Sequence, residues 1–139
     1  RMEERALSSR LLPDPEGSGI SCVRARETAR AVLARLHLPQ TGVDDVVTVV
    51  SELISNAERH AGGATAFTIT ARPGFVTVEV SDRTARLPEL QTWAPRHPGG
   101  FGWRLVHDVA DTVTVRADDG GGKTVTATFT DKQLRAEGR

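Results

Sequence analysis

From Ser21 to Leu36 the apolar side chains fall at Ala25, Ala29, Val32, Leu33 and Leu36, with arginines on the other side. That spacing predicts a helix with one buried stripe. Pro39 closes the segment. Thr41 to Ala61 reads as a second helix, with Thr41 as N-cap and Asp44 and Asp45 in the first turn, where acidic groups suit the helix dipole. Its valines at 43, 46, 47, 49 and 50 also suit a strand. Segment length and the Gly62-Gly63 stop favour helix.

Beyond Gly63 the period changes to two. Phe67, Ile69 and Ala71 share one face, with Thr68 and Thr70 on the other, and Val76, Val78 and Val80 repeat the pattern. Arg72-Pro73-Gly74 between them signals a hairpin turn. Residues 83–98 hold three prolines and little periodicity, so they read as a long loop. Phe101 to Ala110 predicts a third helix that begins in glycines. Val113 and Val115 mark a strand, Gly120-Gly121-Gly122 a turn, and Val125, Ala127 and Phe129 a last strand. Arg5–Leu12 is a candidate edge strand, stopped by Pro13 and Pro15. The charged tail, 131–139, is expected to fray. The sum is an α+β fold. It is a two-layer α/β sandwich whose mixed, mostly antiparallel sheet is covered on one face by about three helices.

Composition narrows the classes. The 139 residues suit one domain, and 38% apolar residues suffice for one core. Eighteen basic residues balance eighteen acidic ones, so no basic face for direct nucleic-acid binding is expected, nor a membrane surface. No apolar run approaches the roughly 20 residues of a membrane span. Cys22 is the one cysteine, which excludes an internal disulfide and favours a reducing, cytoplasmic setting.

Four pieces of the chain carry candidate chemistry. In Glu52-Leu53-Ile54-Ser55-Asn56-Ala57-Glu58-Arg59-His60, the residues Glu52, Asn56 and His60 recur every four positions and line one helix face. A carboxylate, an amide oxygen and a base-capable ring in a row suit a hydrated magnesium ion and a hydroxyl or water nucleophile. A solvated helix face has the same pattern. Asp82 follows a strand directly and is placed to accept from a base amino group, or to serve as a turn residue. Gly99-Gly100-Phe101-Gly102-Trp103 runs into a helix, where backbone amides and the helix N-terminus favour phosphate. Gly120-Gly121-Gly122-Lys123-Thr124 precedes the last strand, and also suits an ordinary hairpin.

In this order the four pieces resemble the N box and three glycine-containing boxes of the GHKL (Bergerat-fold) ATPase and kinase superfamily. With a short lid loop, the chain looks most like its anti-sigma-factor serine/threonine kinase branch. The resemblance spans about residues 5–130, nearly the whole chain, and makes it a single ATP-binding domain over 1–139. It implies ATP and magnesium as cofactors. Asn56 would ligate the metal and Glu52 would be the catalytic base. Arg59 and His60 would lie near the phosphates, Asp82 at the adenine amino group and Thr124 beside it. Gly100, Phe101, Gly102 and Trp103 would form the phosphate loop, and 83–98 the ATP lid. The implied partners are a sigma factor and a STAS-domain antagonist. A homodimer is implied through the N-terminal strand and first helix.

Two departures stand out. The family's Asp-x-Gly-x-Gly reads Asp82-Arg83-Thr84-Ala85-Arg86 here, without either glycine. Trp103 replaces the usual aliphatic residue. They keep a competing reading open, a non-catalytic nucleotide-binding module. The third reading, a histidine-kinase catalytic domain, lacks a preceding helix pair with a phospho-acceptor histidine.

Overall fold

The computed structural model describes residues 6–15, 17, 19–84 and 102–136. Among these residues five strands form one sheet: β1 (Leu7–Leu11), β2 (Ala64–Arg72), β3 (Phe75–Asp82), β4 (Thr112–Ala117) and β5 (Lys123–Thr130). Their order is β1-β2-β3-β5-β4. Every described pairing is antiparallel, so the expectation of a mixed sheet is corrected. The reason is topological: β3 and β4 run the same way, but β5 lies between them, so no parallel pair forms. The predicted hairpin is present, with β2 and β3 joined at Pro73-Gly74 and the Arg72 guanidinium 4.5 Å above the Phe75 ring.

Among the described residues four α-helices accompany the sheet: α1 (Cys22–Leu33), α2 (Gln40–Ala61), α3 (Gly102–Val109) and α4 (Asp131–Leu134). Ser21 caps α1, its hydroxyl accepting from the Arg24 amide at 3.1 Å. The helix expected to run to Leu36 tightens into a 3₁₀ turn over Ala34–Leu36, and His37 ends it in the left-handed region at φ 55°. Pro39 stands at the N-cap of α2, which begins at Gln40, so Thr41 lies inside the helix instead of capping it. Gly62, at φ 76°, stops α2 as expected.

One core lies between the layers. Phe67, Ile69, Val78 and Phe129 of the sheet are fully buried together with Leu33, Val49, Val50 and Ile54 of the helices. The chain does not fray at Asp131. It turns into α4, whose capping box joins Thr130 and Gln133, and Leu134 packs into the core at 1% exposure. The backbone of Leu134 rests on Gly42 in α2 so closely that a Cβ there would collide with its carbonyl oxygen. No helix among the described residues is long and apolar enough to cross a membrane.

Candidate functional site

The 22-residue helix α2 is the spine of the site. Leu53, Ile54 and Ala57 are buried and fix its rotation. That rotation leaves Glu52 and Asn56 half-buried along its rim, with Arg59 and His60 exposed in the last turn. Arg59 Nη2 donates to Asn56 Oδ1 at 3.1 Å, which steadies the amide with one oxygen lone pair still available. The Glu52 carboxylate has no hydrogen-bond partner among the described residues. No group of three or more His, Cys, Asp or Glu able to hold a metal exists among the described residues. The half-buried Asn56 amide oxygen is the kind of single neutral donor that suits a cation which keeps most of its waters and takes phosphate oxygens, as magnesium does.

Helix α2 packs against α3, which starts at Gly102. The glycine start and the helix row thus belong to neighbouring elements. Gly100 and Phe101 lie outside the described residues, as does 85–98 of the expected lid. Trp103 is buried and meets the exposed His107 edge-on, ring centroids 5.1 Å apart.

The far end of the site departs from the sequence expectation. Asp82 is buried at the end of β3, on the face of the sheet that carries Val76, Val78 and Val80. Its ladder partner on β5 is Lys123. Lys123 Nζ donates to Asp82 Oδ1 at 3.0 Å and to Oδ2 at 2.9 Å, and both side chains are only 6% exposed. The Thr84 amide adds a third bond, to Oδ1 at 3.0 Å. The amide stands where the family pattern has its first glycine, so a non-glycine residue closes an Asx-type turn here.

Thr124 is brought not beside Asp82 but to the other face of the sheet. Its ladder partner is Ser81, whose hydroxyl lies 2.8 Å from its own. The Thr124 hydroxyl donates to the Asp118 carboxylate at 3.0 and 3.2 Å. This relay ties β3 to the hairpin between β4 and β5. Sequence reasoning missed Lys123, although a signal existed. Val125, Ala127 and Phe129 alternate onto the core face, and the same parity puts Lys123 there and Thr124 opposite.

Comparison with known proteins sets these features in a family. No curated protein matches the chain. Among solved structures it is similar to the crystal structure of the RsbU and RsbW domains of Rv1364c from Mycobacterium tuberculosis, with a TM-score of 0.62 at 19% identity. That match covers 89% of this chain and 32% of the other, so the chain spans about a third of the solved protein. At that identity the likeness concerns the fold. A family model for the histidine kinase-like ATPase domain matches residues 20–129. The chain therefore belongs to the histidine kinase-like ATPase domain family, with the α+β fold of the GHKL type.

Proposed function

We propose that this domain is a cytoplasmic, ATP-dependent serine/threonine protein kinase of the anti-sigma-factor type. It would sequester a sigma factor and phosphorylate a STAS-domain antagonist. The observation that carries the reading is the half-buried Glu52, without a described partner, one turn before Asn56 on a helix packed against the glycine-started α3. Membership in an ATPase family and likeness to a structure whose title names an RsbW domain support it.

In this reading Glu52 accepts the proton of the attacking serine or threonine hydroxyl. Asn56 offers its oxygen to magnesium, which would neutralise phosphate charge during transfer. Arg59 and His60 hold the phosphates from the exposed last turn of α2. The amides entering α3 at Gly102 and Trp103 favour anionic oxygens. An assay with radiolabelled ATP and a STAS-domain protein tests this. Transfer to serine or threonine that disappears in Glu52→Gln supports it. Transfer at the parent rate in that variant refutes the base assignment.

A second reading has its own observation. With Asp82 paired to Lys123, the domain would be a non-catalytic module that holds a partner protein and uses nucleotide as a structural ligand. ATP binding without transfer to any candidate antagonist would favour it.

A further inference from the structure

The family resemblance leaves Lys123 without a task, yet among the described residues it is one of two charged residues that are buried, the other being Asp82. A buried lysine loses its hydration and persists as a cation only with a close anionic partner. Asp82 supplies it. Nζ sits astride both carboxylate oxygens at nearly equal distances, and the Thr84 amide takes a further site on Oδ1. A carboxylate offers about four acceptor positions. Three are filled here, and the ammonium stands in front of both oxygens.

The backbone holds this arrangement. Asp82 and Lys123 are cross-strand partners, so the two Cα atoms keep their spacing when the side chains move. Gly122, at φ 91°, lies so close to the Asp82 carbonyl that a side chain there would strike it. The glycine thus clamps the end of β5 onto β3 immediately before Lys123.

We propose that Lys123 is a specificity-determining residue that withdraws Asp82 from base recognition. The inference rests on the proposed nucleotide-binding reading. A base amino group approaching Asp82 meets a buried ammonium in front of both oxygens and finds one acceptor position left, and displacing the ammonium would strip it of its anion. Purine nucleotides would therefore be held by phosphate and metal contacts at α2 and α3, with little discrimination at the 6-position of the ring. With lysine removed, the carboxylate regains acceptor positions that only an amino-bearing base satisfies. A site built to hydrogen-bond a ligand group rejects the analogue lacking it far more strongly than an apolar site does.

The test compares magnesium complexes of ATP and inosine triphosphate, which bears a 6-oxo group in place of the 6-amino group. Affinities are measured by calorimetry on the full chain, on Lys123→Thr and on Lys123→Met, which keeps the side-chain stem. The parent is expected to bind the two within about threefold, and the folded variants to favour ATP by about tenfold or more, as one regained hydrogen bond of about 1.4 kcal/mol implies. A parent that prefers ATP tenfold overturns the inference, and this arm needs no substitution. So do folded variants that keep the parent's affinities and ratio, including variants that bind neither nucleotide. A parent that binds neither nucleotide, beside a folded variant that binds ATP, refutes the nucleotide-binding reading of the natural chain and leaves the role of Lys123 standing. Thermal unfolding of each variant establishes which are folded.

Discussion

Two carboxylates, Glu52 and Asp82, mark opposite fates for the same chemical group. Glu52 sits half-buried on a helix rim without a described partner, whereas Asp82 is buried at a strand end and answered by Lys123, Thr84 and no solvent to speak of. The first is the proton acceptor of the proposed function; the second has its charge answered by an ammonium at 2.9 Å. In the proposed kinase reading, reactivity lies at the α2 end of the site and the Asp82–Lys123 pair at the β3–β5 end is structural. A site motif can thus keep its residue while a cross-strand partner, here Lys123, occupies that residue's acceptor positions.

The sharpest way to break the comparison is at Glu52. Glu52→Gln should lower phosphotransfer by about 10²–10⁴-fold, the usual worth of a positioned general base, with ATP affinity within about twofold. Steady-state transfer and calorimetry on one preparation separate the two effects. Asp82→Ala should do the reverse at the level of stability. It strands a buried ammonium and should cost about 3–5 kcal/mol, against within about 0.5 kcal/mol for Glu52→Ala on the rim. Urea unfolding of both proteins checks this, and equal losses would erase the distinction between the carboxylates.

Smaller effects sharpen the frame around them. Gly42→Ala forces a methyl against the Leu134 carbonyl and should cost about 1–3 kcal/mol, read as a lower unfolding midpoint. A parent-like midpoint would mean that α4 does not dock on α2. Thr124→Val, on the sheet face away from Asp82, should lose about 1 kcal/mol through its bonds to Ser81 and Asp118. Nucleotide affinity should not move, and a clear loss would return Thr124 to the base end of the site.

Much of this was legible in the residues because period and punctuation agree. The long α2, its Gly62 stop and the β2–β3 hairpin each follow from spacing plus a turn residue. The row Glu52, Asn56, Arg59, His60 was legible for the same reason, since helical spacing alone places it on one helix. What escaped depended on pairing between distant segments. The strand order that makes the sheet antiparallel arises when β5 inserts between β3 and β4, which no local pattern encodes. The tail 131–134 looks polar, and only Leu134 meeting Gly42 across the fold makes it a helix worth keeping. Lys123 escaped because the family resemblance points to Thr124, whereas alternation along β5 sends the lysine inward.

In the proposed function, nucleotide phosphates and a divalent ion meet between the α2 rim and the start of α3. Tryptophan emission of a Trp93→Phe protein, in which Trp103 alone reports, measures it most directly during titration with magnesium ATP. A saturable change that disappears in Asn56→Ala is the predicted result. A parent emission that ignores the titration, or an undiminished response in Asn56→Ala, would contradict the account.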